Sequence, residues 1–169
     1  TDFTIRNQGD DFSYTVRATQ DIVSAGDLTV INLEAPLGDY CQLHTEGFTF
    51  CGRPGFVGAL QAAGVDVAPL ENNHIGNYGQ DGIDATKGYL EVGGIKWADR
   101  YTAAVVEVRG MTFGFLAFNG VIEIIDRDAM VAAIQTLRPQ VDVLSVSFHW
   151  GAEYVSLPDI SPGVAEDSP

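Results

Sequence analysis

VDVAPLENNH, at residues 65–74, joins an apolar run of strand length to a cluster of polar side chains. Two other segments repeat this arrangement: TVINL (29–33) is followed by Glu34, and VDVLSVSF (141–148) is followed by His149. Short, largely apolar runs of this kind predict strands that are buried in a sheet. In an open α/β sheet, ligands bind outside the carboxyl ends of the strands. The three strand ends therefore predict a functional site.

Four residues at these strand ends are candidate metal ligands. If the three strands share one sheet, Glu34, Asn73, His74 and His149 converge at one edge of it. Histidine is the commonest transition-metal ligand among side chains, and a carboxamide oxygen is a weaker, neutral one. A carboxylate at the end of an apolar strand is unfavourable unless it is paired, hydrogen-bonded or bound to a cation. If the site binds a divalent metal ion, we expect one ion per chain.

Each candidate also has a purely structural interpretation. The two asparagines before His74 are, in isolation, typical of a turn. Glu34 can form a salt bridge with Arg53 or Arg100, and His149 taken alone is typical of a hydrogen-bonded core histidine. The functional interpretation depends on the three strand ends occurring together.

The flanking segments predict an alternation of strands and helices in one α/β domain over residues 1–157. Proline at the start and glycine at the end predict a helix over residues 54–63, directly before the strand at 65–70. Residues 35–53 predict a long loop, and the proline-rich tail at 158–169 is predicted to be irregular. The other predictions are a loop or edge strand over the first dozen residues, helices at 14–25, 81–92 and from Asp126 or Asp128 to Leu137, an extended piece at 95–97, and a hairpin formed by 104–109 and 112–118.

Composition restricts the class of protein. A chain of 169 residues with 46% hydrophobic and 19% charged residues fits one folded domain with its own core. Its net charge is −14, and its nine Lys and Arg residues are scattered. A nucleic acid backbone requires a basic patch, so we expect no nucleic acid partner. An anionic substrate would need a metal ion to offset the field of this protein. No apolar stretch approaches the length that spans a bilayer.

The two cysteines, Cys41 and Cys51, flank a short segment rich in glycine and polar residues. A disulfide between them would close a small loop, would stabilise the fold by roughly 3 kcal/mol in the chain-entropy model, and would imply an oxidising compartment. Two reduced thiols in a cytosolic protein are the alternative. The exposed character of the segment, which also holds His44, favours the disulfide.

Several common catalytic motifs are absent from the sequence. There is no G-x-S-x-G nucleophile motif, and neither cysteine has a nearby histidine in a recognisable catalytic context. Neither of the glycine-rich phosphate-binding patterns, G-x-G-x-x-G and G-x-x-x-x-G-K, occurs. These absences argue against a nucleophilic triad and a nucleotide-binding loop.

Three motifs together resemble the CapA capsule-synthesis (poly-γ-glutamate) family, a branch of the calcineurin-like metallophosphoesterase superfamily. They are AGDLTVINLEAPL (25–37), the NNH loop (72–74) with Tyr78-Gly79, and FHWGAEY (148–154), in matching order and spacing. The resemblance covers roughly residues 11–158. It implies a metallophosphoesterase-like α/β fold of two packed β-sheets flanked by helices, and a location that is extracellular or in the cell envelope.

The resemblance also implies roles for individual residues. The metal-site positions of the family map onto Glu34, Asn73, His74 and His149, with Glu34, His74 and His149 at the catalytic centre. Glu153 could act there as a proton shuttle. We further expect substrate contacts from three neighbouring residues, Asn72, Trp150 and Tyr154.

The chain departs from the family pattern in three places. The opening strand of the family, which carries a Gly-Asp motif, is absent from this chain, because Gly9-Asp10 lies too close in sequence to Glu34 to fill that role. Asn77 stands where the loop after NNH usually carries an aspartate, and the closing motif of two histidines around a proline is missing. A two-metal site is therefore incomplete. We expect a fragment, a minimal version or a relative with changed chemistry, and a homodimer in which a second chain completes the site is compatible with this.

Three functions follow. The first is a secreted metal-dependent hydrolase that acts on a phosphoester, another small anionic substrate or an extracellular polymer. The second is a metal-independent polysaccharide hydrolase that uses two carboxylates from among Glu34, Glu71 and Glu153. The third is a non-catalytic protein that binds or assembles a capsule polymer.

Overall fold

A computed structural model describes residues 2–41 and 47–151 of the chain. Helices and strands alternate over residues 56–98 and again over residues 111–149. Among the described residues, no helix combines the length and the apolar character that crossing a membrane requires. The helices are α1 (Asp2–Asn7), α2 (Gln20–Val23), α3 (Phe56–Ala62), α4 (Gly79–Val92) and α5 (Arg127–Leu137), and the strands are β1 (Val67–Pro69), β2 (Lys96–Ala98), β3 (Ala104–Val108), β4 (Met111–Asn119) and β5 (Val143–His149).

The strands form two small sheets. In the first sheet β1 pairs with β2 in parallel, and the segment at residues 29–33 lies along the other side of β1. That segment is held by a bridge between Val30 and Val67 and by the Ile31 N–H, which donates to the Val67 carbonyl at 3.0 Å. In the second sheet β4 lies between β3, which is antiparallel to it, and β5, which is parallel to it.

This topology confirms the predicted fold of two sheets flanked by helices, but the placement of all three site strands in one sheet is wrong. The strand at 141–148 became β5 of the second sheet, whereas the other two segments lie in the first. β5 belongs to the second sheet because it pairs with β4, and β4 is positioned there by the hairpin that it forms with β3.

Three apolar clusters hold the layers together. The largest packs α3 and α4 against the first sheet, and its Leu90 and Ile95 are almost fully buried. A small cluster lies between the two sheets and contains Val67 of β1 and Phe115 of β4. The third packs α5 against the second sheet through Leu137. The two sheets are therefore joined by apolar contacts between their strands.

The predictions of the three longer helices and of one hairpin are confirmed. Helices α3, α4 and α5 lie where they were predicted, and α5 begins after Asp126, whose carboxylate accepts hydrogen bonds from the backbone N–H groups of Asp128 and Ala129. The predicted hairpin is present, but its turn lies at Arg109 and Gly110, one residue earlier than the predicted Gly110-Met111, and these two residues have φ angles of 50° and 77°. Two successive positive φ values match the twist of a two-residue hairpin turn.

Two predictions near the start of the chain were wrong. The first residues form helix α1, not a loop or edge strand, and Ile5 of that helix is buried. The helix predicted over residues 14–25 is broken into a 3₁₀ turn at Phe12–Thr15 and the four-residue α2. The Thr15 and Thr19 hydroxyls donate to nearby backbone carbonyls. Such local bonds compete with a continuous helix.

Candidate functional site

The structure brings Glu34, Asn73 and His149 together although they come from different sheets. His149 Nε2 lies 3.0 Å from Asn73 Oδ1 and 3.8 Å from Glu34 Oε1. Glu34 and Asn73 follow two neighbouring segments of the first sheet, and His149 ends β5 of the second. The side chains of Glu34 and His149 are 40% and 26% exposed, so solvent and a substrate can reach them.

Two asparagines, Asn32 and Asn72, form a series of hydrogen bonds that holds Glu34 in place. The Asn32 amide donates to Glu34 Oε2 at 2.9 Å, which leaves Oε1 facing His149. The Asn72 amide donates in turn to Asn32 Oδ1 and to the Leu33 carbonyl, both at 3.0 Å. Sequence reasoning missed Asn32, although its position two residues before Glu34 in an extended segment puts both on one face.

Asn72 was predicted to contact substrate, and the structure gives it a different role. It is fully buried, and its Oδ1 accepts from the backbone N–H groups of His74 and Ile75 at 3.1 and 2.8 Å. With its amide also engaged, both ends of the side chain hold the loop. Asn72 therefore positions Asn73 and His74, and it does not face a substrate.

His74 is buried beneath the loop and is oriented by two neighbours. Its Nδ1 lies 3.2 Å from Asn77 Oδ1, and its ring centroid lies 4.1 Å from that of Phe50. Asn77 Oδ1 also accepts from the Phe50 backbone N–H at 2.7 Å, so one amide fixes both partners. Asn77 and Phe50 therefore orient the His74 ring, a role that the sequence analysis did not assign to them. Among the described residues, His74 does not combine with Glu34 and His149 into a group of three His, Cys, Asp or Glu side chains that could hold a metal ion.

Glu71 is committed to an ion pair. Its carboxylate receives Arg100 Nε at 3.1 Å and a terminal guanidinium nitrogen at 2.9 Å. Arg100 also pairs with Glu123 of the loop after β4. Hydrogen bonding to Glu71, with the nearby charge of both carboxylates, raises the pKa of Arg100 above its usual value. Arg100 therefore bridges the two sheets at this edge, and Glu71 is not a free acid or base.

The remaining predicted residues lie on β5 and beyond it. The backbone of His149 is held in place, because its carbonyl oxygen accepts a hydrogen bond from the Gly120 N–H at 2.7 Å. Trp150 is 70% exposed and stacks on Phe148 with a centroid distance of 5.4 Å. Glu153 and Tyr154 lie outside the described residues. Trp150 thus offers an open aromatic surface directly beside His149.

If a divalent ion binds at this point, the described residues that meet there offer it three donors. An imidazole nitrogen, a carboxylate oxygen and an amide oxygen converge at 3.0 and 3.8 Å, a mixed N and O set of the kind that divalent transition metals accept. Binding requires His149 Nε2 without its proton. Within residues 2–41 and 47–151, no group of three or more His, Cys, Asp and Glu residues could hold a metal ion. The described residues therefore supply a partial ligand set that water would have to complete.

The predicted disulfide is confirmed. Cys41 and Cys51 are bonded, and their Cα atoms are 5.5 Å apart. Gly52 follows Cys51 and exchanges backbone hydrogen bonds of 2.8 and 2.9 Å with Pro36 and Gly38. His44 lies outside the described residues. The bond fixes the base of the long loop close to the segment that carries Glu34.

Comparison with protein families gives one match that covers nearly the whole chain. The family model described as bacterial capsule synthesis protein PGA_cap matches residues 2–161. No curated protein matches the chain. Among solved structures, one similar chain is the crystal structure of a hypothetical protein from Thermus thermophilus, with a TM-score of 0.53 and 20% identity. The match covers 83% of this chain and 53% of that one, so this chain spans about half the length of that protein. At this identity the likeness concerns the fold alone.

Proposed function

The chain belongs to the bacterial capsule synthesis protein family, and we propose that within it the chain is a secreted metal-dependent hydrolase. Its substrate would be a phosphoester or an extracellular polymer. The observation that carries the proposal is the convergence of Glu34, Asn73 and His149 from two sheets onto one solvent-accessible point. Three polar side chains from separate segments of the chain meet there.

Glu34, Asn73 and His149 would hold the ion. A bound divalent ion supplies a more acidic water and a polarised scissile group. Asn32 holds one carboxylate oxygen of Glu34 and so orients the other. Asn72 fixes the backbone beside Asn73. Such hydrogen-bonded support of the ligands is usual in metal sites and affects both affinity and activity.

The surroundings of this point suit a large substrate. The site lies at an open edge, and the exposed Trp150 is adjacent to His149. An aromatic face of this kind can stack on a sugar ring or on another flat group. A capsule polymer would lie along this edge.

The disulfide supports a location outside the cytosol. Structural disulfides persist in oxidising compartments and are rare in cytosolic proteins. Cys41 and Cys51 are bonded to each other, and the described part of the chain contains no free cysteine. This agrees with an extracellular or cell-envelope protein, where a capsule is assembled.

One alternative has a specific observation in its favour. The few ligands at this point are compatible with a non-catalytic protein that binds or assembles capsule polymer. The carboxylate hydrolase is less well supported, because Arg100 occupies Glu71, one of its three candidate carboxylates. Metal binding and turnover separate the hydrolase from the assembly protein.

The test is metal titration of the 169-residue chain by calorimetry with Mn²⁺ and Zn²⁺. We expect one ion per chain, and we expect Glu34→Gln and His149→Ala to weaken binding at least tenfold. Glu107→Gln, at an exposed carboxylate on β3, is the matched control and should bind as the wild type does. Turnover of a phosphodiester and of poly-γ-glutamate is then measured with the ion present. Unaltered binding in both site variants would contradict the proposal.

A further inference from the structure

Arg100 lies where the segments that follow three different strands meet. It follows β2, and its guanidinium binds Glu71, which follows β1, and Glu123, which lies in the loop after β4. Glu71 also accepts a hydrogen bond from the Arg100 backbone N–H at 3.3 Å. The side chains of Glu71 and Arg100 are only 11% and 29% exposed. A partly buried pair with two parallel bonds fixes the geometry of both partners, whereas a fully exposed ion pair contributes little.

The connection from Glu71 to Asn73 is short. The two residues are separated by Asn72 alone, which is fully buried and hydrogen-bonded at both ends of its side chain. Directly before Glu71, the Leu70 N–H donates to the Ala98 carbonyl of β2 at 2.9 Å. The backbone on both sides of Glu71 is therefore held, and the position of its carboxylate is tied to that of Asn73.

Glu123 is connected to His149 through a short, hydrogen-bonded turn. The turn begins after Asn119, which is the partner of His149 in the register of β4 and β5. Asn119 is buried, and its Oδ1 accepts from the Val121 N–H at 3.0 Å. The Gly120 N–H donates to the His149 carbonyl at 2.7 Å. The loop that carries Glu123 is therefore attached to the backbone of His149.

We propose that Arg100 is a positioning residue of the candidate site, and that it holds His149 beside Asn73 by binding Glu71 on one side and Glu123 on the other. The 3.0 Å contact between His149 Nε2 and Asn73 Oδ1 joins the same two segments that Arg100 joins. Arg100 acts through the two carboxylates and not by contact with a substrate. The inference deepens the proposed function and rests on it only for the effect on metal binding.

Removal of the guanidinium should change the geometry of the site even without a bound metal. In Arg100→Met, we expect the ring resonances of His149 to shift in the proton–nitrogen spectrum, because its contact with Asn73 is lengthened or lost. Lys87→Met is the matched control, since it breaks an ion pair with Asp99 whose side chains are 21% and 11% exposed, and it should leave these resonances in place. Unshifted His149 resonances in folded Arg100→Met would overturn the proposal, and so would equal shifts in the two variants.

A second variant keeps the buried ion pair and therefore tests the proposal if Arg100→Met does not fold. Glu123→Ala removes a carboxylate whose side chain is 46% exposed and leaves Arg100 bound to Glu71. The His149 resonances should shift in the same direction as in Arg100→Met, by a smaller amount. Glu107→Ala removes the same charge from an exposed position on β3 and should shift nothing. His149 resonances that stay in place in Glu123→Ala would show that Arg100 does not act on the second sheet, and the proposal would be wrong.

A double substitution separates positioning from stability. Glu71→Met/Arg100→Met replaces the pair with two apolar side chains, a change that often preserves or raises the stability of a fold. We expect the urea midpoint to recover toward that of the wild type, while the His149 resonances remain shifted because the link from Arg100 to Glu123 stays broken. Recovery of both would show that Arg100 contributes to stability alone, and would overturn the proposal.

Metal affinity connects this inference to the proposed function. Contacts that orient metal ligands typically change metal affinity by about tenfold or more, so the dissociation constant for Mn²⁺ should rise at least tenfold in Arg100→Met and remain within about twofold of wild type in Lys87→Met. If the wild-type chain binds no Mn²⁺, the proposed function fails, and the His149 resonances still decide the role of Arg100. If the wild-type chain binds Mn²⁺ and Arg100→Met binds it equally well, the positioning role is wrong.

Discussion

Asn72 shows how one buried amide supports a site that it does not enter. Its side chain joins the backbone of Leu33, the Asn32 side chain and the N–H groups of His74 and Ile75. Asn72→Ala removes these bonds and leaves two buried backbone donors without a partner. We expect the free energy of unfolding to fall by about 3 kcal/mol. Urea denaturation measures this, with Gln135→Ala on the exposed face of α5 as a control expected within about 0.5 kcal/mol of wild type.

Tyr40 gives the chain a predictable response to alkaline pH. Burial, together with the nearby Tyr78 and Asp81, raises the pKa of Tyr40 above its ordinary value. A raised pKa means that the folded state favours the neutral phenol. The resulting stability is fully present below the pKa of an unfolded tyrosine, about 10, and is lost as pH rises through the folded-state pKa.

Tyr40→Phe should accordingly lose less stability at alkaline pH than the wild type does. Denaturant titrations on both sides of the usual tyrosine pKa measure this difference. Tyrosinate absorbance provides a second readout, since the component that Tyr40→Phe removes should titrate above the model compound N-acetyltyrosinamide. A component that titrates with or below the model compound would contradict the prediction.

At the scale of elements, two glycines should respond in opposite ways to alanine. Gly88 lies exposed inside α4, and a Cβ there meets nothing within 4 Å. Gly114 lies buried in β4, where a Cβ would come within 2.9 Å of Val141 and 3.0 Å of Leu137. Gly88→Ala should stabilise the fold by about 0.5–1 kcal/mol. Gly114→Ala should destabilise it by about 1–3 kcal/mol, since the packed side chains of Val141 and Leu137 would have to shift. Thermal and urea unfolding should show the two signs, and equal signs would contradict this packing.

The elements also show what a sequence can predict. Helix α5 was predictable because Asp126 caps it locally. The hairpin was predictable, but its turn was placed one residue too late, at Gly110-Met111 instead of Arg109-Gly110. The sheet that β5 joins depends on its pairing with β4 and not on its own periodicity, so the sequence could not place it. In the site, the strand ends predicted that Glu34, Asn73, His74 and His149 lie together, and the structure brings Glu34, Asn73 and His149 together. Which of two adjacent asparagines is buried depends on tertiary contacts, and for this reason the role of Asn72 was missed.

At the scale of the whole molecule, the candidate site depends on how the two sheets pack. Glu34 and Asn73 belong to the first sheet and His149 to the second, and a small cluster containing Val67, Ala98, Ala104 and Phe115 lies between the sheets. Leu90, by contrast, is fully buried between α4 and the first sheet. Loss of the Phe115 ring should therefore change the distance between the site residues, whereas loss of the Leu90 side chain should not.

Phe115→Ala and Leu90→Ala form a matched pair for this test. Both should lower the free energy of unfolding, by about 3–5 and 2–5 kcal/mol respectively. Only Phe115→Ala should also shift the ring-proton resonances of His149 in the folded state and weaken Mn²⁺ binding, because only it loosens the packing that holds His149 near Asn73. Measurements at low temperature, where circular dichroism shows both variants folded, separate this effect from global unfolding. If both variants leave the His149 resonances in place, the position of His149 is set by its own strand and by the bond from the Gly120 N–H to its carbonyl.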